Sequence, residues 1–480
     1  MANRFGLFPP RLQSRFALSV IGVTGGSVLA QAVLVVGSAA ITRLVTPGEF
    51  AAFSVSASLA GIAAVVLVAS YPSIIPIADG DQQVTRLAWL TLCITAVLTV
   101  GLTLAVEAIF RLGHVETVFG LDRRLTALTI MSATAIAVWT LARSLLVRHR
   151  RFRVLATTTV WGNLIQVCSQ IVMSVMGFGA GGLILGFLVG RSTNAGQMLA
   201  RQTLRPRPSL LRLRLEATRW GWLPVQLTVP LLINQATVWA VTPIVSAWYG
   251  ATFAGLFALA FRVLVLPLTL LGTSISTVVF PETAERHRAG SDSAPLLTAT
   301  ARLLLNLGVP VFGAIVLLGP EAFALLFGQE WRGAGEIAAV LAPWMALGLA
   351  SSSISSFATV RQRFGQILVI GILEGSLRLG ALAIGARAND ASLGTALYSL
   401  SGVIIATTWI AWVLHQAGVD TTCIRRTLAP ALTTLVVVCV AAALGRRLLT
   451  EPAYLAASLA MTASMLTWAV RRARALVAHS

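Results

Sequence analysis

The chain has 480 residues, 56% of them hydrophobic and only 11% charged, with a formal net charge of +19. Soluble domains carry about 25% charged residues, so this composition excludes one and indicates a polytopic membrane protein. All the basic residues are arginines, gathered mainly in short loops between apolar runs, which excludes a nucleic-acid surface and points to orientation in a bilayer.

Arg4, Arg11 and Arg15 precede an apolar run over 16–41. It is too long for a signal-peptide core of about 7–15 residues and is read as an uncleaved first span. Further spans are expected at about 50–78, 86–110, 125–147, 154–176 and 179–200. A basic linker over 201–221 separates these six from a second set at about 222–249, 252–280, 300–319, 334–360, 365–386 and 393–415. Spans at about 427–445 and 453–470 complete an all-α chain of about fourteen transmembrane helices. The expected domains are an N-lobe over 1–200, the linker 201–221, a C-lobe over 222–416, and two last helices with a tail over 417–480.

Arginine placement tests that count. With a cytoplasmic N-terminus, 24 arginines fall in the cytoplasmic segments and 8 on the opposite side, the asymmetry of the positive-inside rule. An even number of spans per half makes both halves enter from the same side, as a parallel repeat. Two stretches support duplication. The segment 50–76 and the segment 253–281 share a Phe-Ala-small-x opening and an apolar-Pro ending.

Polar residues inside the spans form stripes. Thr24, Ser27, Gln31 and Ser38 share one face of the first span, and Asn163, Gln166 and Gln170 one face of the fifth. Asn194 follows Arg191 in the sixth, and Gln226, Asn234 and Gln235 lie in the seventh. Such groups also glue helices together, at about 0.6 kcal/mol per bond. Arginines at depth are costlier, at least ~2.5 kcal/mol each, and face a wet cavity or a partner. Arg191 and Arg262 are the deep ones, in different halves, with Glu107 in reach of one of them. Arg143 lies about a turn from a membrane edge and can snorkel. Glu374 and Arg378, at i and i+4, can pair on one helix face; otherwise Glu374 titrates as an ion-coupling group and frees Arg378. An arginine-lined interior suits a diphosphate, which guanidinium groups grip bidentately, while Gln31, Asn163 and Asn234 suit sugar hydroxyls.

Cys93, Cys168, Cys423 and Cys439 form no CxxC motif, and the five histidines lack metal-ligand spacing, so no metal and no cofactor is expected. A proton or sodium gradient is the expected energy source.

The segment ITRLVTPGEFAAFSV at 41–55 resembles a motif of bacterial polysaccharide transporters, an Arg-Leu-x-x-Pro-x-x-Phe-Gly pattern entering the second span. Arg43, Leu44, Pro47 and Phe50 match it, while Ala51 stands in place of the glycine. The segment 255–282 is similar to the eighth span of the same group, with Arg262, Pro267, Phe280 and Pro281 in place. The resemblance is to the Wzx-type oligosaccharide flippases of the multidrug/oligosaccharidyl-lipid/polysaccharide (MOP) superfamily. It implies two six-helix lobes in a V around a central cavity, two extra helices, and alternating access. Arg262 carries over as the cavity cation. The implied cargo is an undecaprenyl-pyrophosphate-linked oligosaccharide moved from the cytoplasmic to the periplasmic leaflet, for surface or exopolysaccharide synthesis. The setting is the bacterial inner membrane, with both termini cytoplasmic. A monomer is expected, working beside glycosyltransferases and a polymerase of its pathway, with no nucleic-acid partner.

Three alternatives stand beside this. A multidrug antiporter would place a carboxylate in an early span, and neither 16–41 nor 50–75 holds one. A lipid II flippase would place arginines inside its first span, which has none between 16 and 42. A membrane glycan polymerase or ligase would need larger external loops than any here, and is not expected to show a repeat.

Overall fold

The computed structural model describes residues 29–113, 117, 119–202, 208–289, 291–361 and 363–478. Thr24 and Ser27 lie outside them, as do the side chains of Asn234, Phe280 and Pro281. The described residues are helical throughout, without a strand. A helix stands at every segment expected to span, and nine helices among the described residues are long and apolar enough to cross a membrane.

The chain divides into two compact units, Met1–Gly255 and Leu256–Ser480. The first holds α1 (Leu29–Ile41), α2 (Pro47–Val68), a short α3 (Tyr71–Ile74), α4 (Asp81–Leu112), α5 (Arg123–Arg148), α6 (Phe152–Val175), α7 (Gly179–Leu199), α8 (Leu210–Trp220), α9 (Leu223–Trp239) and α10 (Val241–Tyr249). α11 (Ala251–Arg288) leads into the second unit, followed by α12 (Ala294–Phe327), α13 (Arg332–Ile354), α14 (Ser356–Val360), α15 (Phe364–Arg387), α16 (Ala391–Gln416), α17 (Thr421–Leu448) and α18 (Glu451–Ala478).

Local chemistry sets the helix ends. α2 begins on a capping box: Thr46 N–H donates to Glu49 Oε2 at 2.8 Å, the Thr46 hydroxyl caps Glu49 N–H in return, and Pro47 occupies the first turn. Glu49, the carboxylate just ahead of the expected second span, is thus committed to a helix end. That span is shorter than 50–78. Ala69 and Ser70 take left-handed φ of 44° and 55°, and Pro72 and Pro76 lack the N–H a continuing helix needs. The result is a bent foot after Val68. The span expected at 222–249 is likewise two helices, broken at Ala240, because Pro243 cannot donate to the carbonyl of Trp239.

Small residues bring the helices together. In the first unit α5 meets α2 through Ala60, Ala64, Ala133 and Ala137, all buried. α6 lies so close to α7 that a Cβ at Gly190 would stand 2.4 Å from Gln166 Cβ and 2.8 Å from its Cα, the small-residue packing of membrane helices. In the second unit α12 and α13 cross at Gly319 and Gly335, where a Cβ on Gly335 would be 2.3 Å from the Gly319 carbonyl oxygen. α17 and α18 belong to the same unit as α12. Tyr454 donates to the Leu317 carbonyl at 2.6 Å, and Arg302 Nε to the Thr427 hydroxyl at 3.1 Å.

Candidate functional site

Each unit holds an arginine set against aromatic rings. In the first, the tight α6–α7 contact fixes the rotation of α7 and directs Arg191 toward α5. Its guanidinium carbon lies 5.4 Å from the Trp139 ring centroid and 5.2 Å from that of Phe187. Phe187 is held by an edge-on contact with Phe53 of α2 at 5.9 Å. With its amide turned end for end, Asn194 accepts from Trp139 Nε1 and donates to the Thr158 carbonyl, both at 3.3 Å, which pins the indole. Arg143, exposed on α5, also places its guanidinium carbon 5.6 Å from the Trp139 centroid. Arg191 Nε is buried without a hydrogen-bond partner, and Arg191 forms no ion pair with any described residue. Cation–π contact is worth about 0.5–2 kcal/mol per ring and leaves the positive charge in place. The cluster therefore holds a cation whose charge nothing described cancels.

In the second unit α15 carries the expected pair: Arg378 Nη2 lies 2.5 Å from Glu374 Oε1. The Arg378 guanidinium carbon sits 4.0 Å from the Trp344 centroid and 5.3 Å from that of Tyr398, so α13 and α16 both reach it. Trp344 and Tyr398 meet edge-on at 5.6 Å, and Phe257 and Phe261 of α11 close the box against them. Gly402 makes room, since a Cβ there would stand 2.4 Å from Trp344 Cγ. Arg378 has little exposure and Glu374 more, 12% against 31% of their side chains. Acid and base are thus neutralised together, with the acid the more accessible.

The remaining expected residues are dispersed. Arg262 is half-buried on α11, next to Phe261. Asn163 is buried and donates to the Ala30 carbonyl at 2.8 Å, and Gln170 to the Leu183 carbonyl at 2.9 Å, so both amides join helices. Gln31 and Arg43 are exposed, Phe50 is fully buried, and Pro267 is half-buried within α11. Glu107 is held by arginines other than Arg191. It accepts from Arg111 Nε at 2.6 Å and Arg123 Nε at 3.0 Å, because an acid near the end of α4 meets the arginines of its own last turn and of the start of α5 first. Sequence reading missed Trp139, Phe187, Trp344 and Tyr398. For Trp139, Trp344 and Tyr398 the only sequence signal is an aromatic ring at a depth matching an arginine on another helix, whereas Phe187 stands at i−4 of Arg191 on α7 itself. Among the described residues no group of histidines, cysteines and acids could hold a metal ion.

The chain matches the family described as polysaccharide biosynthesis protein over residues 18–336. It is 25% identical to the succinoglycan biosynthesis transport protein ExoT of Rhizobium meliloti (strain 1021) over 390 residues, 78% of this chain and 75% of that protein. Its fold is similar to the lipid II flippase MurJ in an inward closed conformation, with a TM-score of 0.71 at 13% identity, covering 95% of this chain and 99% of that one. It is also similar to an inward-facing multidrug resistance MATE family transporter of the MOP superfamily, with a TM-score of 0.58 at 16% identity, covering 83% and 96%. These relatives are transporters and flippases, not enzymes, and the all-helical fold expected from the sequence is found, similar to those of the two solved transporters.

Proposed function

The chain belongs to the polysaccharide biosynthesis protein family, and from that premise we propose that it flips a polyprenyl-pyrophosphate-linked oligosaccharide across the cytoplasmic membrane by alternating access. The carrier is undecaprenyl, the direction cytoplasmic to periplasmic, and the product feeds surface or exopolysaccharide synthesis. The transport role of the succinoglycan relative supports the glycan, and the placement of arginines supports cytoplasmic termini.

The observation that carries this reading is Arg191, a guanidinium on a helix expected to span, braced by two rings and paired with no described acid. A diphosphate would supply the missing counter-charge, through charge-assisted bonds about twice as strong as neutral ones. In the second unit Arg262 is the proposed cargo-binding cation, on the strength of the family motif. Glu374 is the proposed ion-coupling group: its protonation by a proton gradient would release Arg378. A sodium gradient would act by shielding the same carboxylate.

The test is a chromosomal deletion complemented with variants, followed by assay of which lipid-linked glycan accumulates on the inner leaflet. Arg262→Ala is expected to abolish export at normal membrane abundance, and Arg191→Ala to reduce it less. Full export by Arg262→Ala would end the cation-site proposal. The second reading, a lipid II flippase, rests on the likeness in fold to MurJ; accumulation of lipid II in the deletion strain would select it.

A further inference from the structure

α8 connects the first six membrane helices to α9, and its two faces differ. At about 100° per residue, Leu213, Glu216, Ala217 and Trp220 fall on one side of the helix. That side is clasped. Glu216, 3% exposed, accepts from Gln83 Nε2 at 2.9 Å and Trp220 Nε1 at 3.2 Å, and stands 3.6 Å from Arg86. Leu213 packs among Tyr71, Ile74, Leu87 and Leu145. A buried carboxylate with this many partners fixes the rotation of α8 about its own axis.

The opposite face is therefore set as well. Leu211 and Leu215 lie at its centre, 68% and 60% exposed. Arg214 flanks them on one side, and Arg212 and Arg219 on the other, all exposed. Arg219 reaches Asp79 at 3.0 Å, whereas Arg212 and Arg214 pair with no described acid. Trp222, just beyond the helix, is 76% exposed. Leucines centred between arginines, with a tryptophan at the end, make the pattern of a helix lying in a membrane interface, its leucines in the acyl boundary and its arginines at phosphate depth. The positive-inside rule needs only a count of arginines in this connection; it does not require them to flank leucines on one exposed arc.

We propose that the outward face of α8 is a docking surface for anionic phospholipid headgroups of the bilayer the chain spans, and that the Glu216 clasp holds it in the angle that contact needs. Charge complementarity selects this occupant. Glu216 is the sole acid of α8 and faces inward, so every charge that α8 itself places on the outer face is basic. The proposal does not depend on the transported cargo.

The experiment uses the full chain in lipid nanodiscs, with its four cysteines replaced by serine and a fluorophore on Leu215→Cys. Quenching by brominated acyl chains is expected, stronger with phosphatidylglycerol present than with phosphatidylcholine alone. In native mass spectrometry, Arg212→Gln/Arg214→Gln is expected to retain about tenfold less phosphatidylglycerol, with phosphatidylcholine retention and the thermal transition unchanged. A fluorophore quenched by aqueous iodide and untouched by brominated chains would overturn the proposal. So would equal phosphatidylglycerol retention by the double variant, or cross-linking of position 215 to a second copy of the chain. Glu216→Gln tests the clasp separately: it is expected to weaken the bromine quenching at position 215, and unaltered quenching would remove the clasp from the proposal.

Discussion

Arg191 and Arg378 are the same group in nearly the same company, and they do opposite things. Each guanidinium lies against two aromatic rings, and each has a buried Nε without a hydrogen-bond partner. The difference lies one helical turn away. Arg378 has Glu374 at i−4, while Arg191 has Phe187 there. Rings brace a cation without discharging it, whereas a carboxylate does both. The Arg191 cluster thus keeps its positive charge, and the Arg378 cluster holds a neutral pair.

The sharpest way to break this contrast is to make the first site like the second. Phe187→Glu places an acid at i−4 of Arg191 and is expected to lower glycan export at least tenfold, while Phe187→Gln, which loses the same ring, is expected to lose less. Equal loss in both would show that packing against Phe53, rather than charge, is what matters. Tenfold corresponds to about 1.4 kcal/mol, within what one charge-assisted phosphate bond supplies.

Helix approach comes next, because it holds each arginine in place. Gly190→Ala drives a methyl into Gln166 at its Cβ and backbone, and is expected to lower stability by about 1–3 kcal/mol. Gly402→Ala meets the buried Trp344 ring at its Cγ instead, and a loss in the same range is expected. Thermal unfolding in detergent compares the two. A larger loss for Gly402→Ala would mean that the box around Arg378 is the more rigid cluster.

The smallest expected effect is that of Glu374→Gln. Removing one member of a buried pair costs several kcal/mol, but Glu374 keeps about a third of its exposure, so about 1 kcal/mol is expected. Its transport signature should be clearer than its stability: a flattened dependence of export on external pH. Transport by Glu374→Gln with the pH profile of the parent would remove the carboxylate from the coupling proposal.

Much of this was legible beforehand where the physics is local. Apolar runs long enough to span gave helices at every expected segment, and the i, i+4 spacing of Glu374 and Arg378 gave their ion pair. Other expectations depended on what neighbouring helices offer. Asn163 and Gln170 could as well have faced sugar hydroxyls, but α1 and α7 came close enough to take their N–H groups. Glu107 was in reach of a deep arginine by sequence, and two arginines at the helix end held it instead.

By itself the sequence determined that the chain is a helical membrane protein and which residues carry charge at depth, because hydropathy and a 3.6-residue period act along one strand of backbone. Only the tertiary structure decided that Trp139 of α5 braces Arg191, that Trp344 and Tyr398 cover Arg378, and that α8 turns leucine and arginine outward. Those choices depend on how far each helix is rotated and how closely it crosses the next. That is set by glycines and alanines far apart in the chain, whose contacts no local spacing encodes.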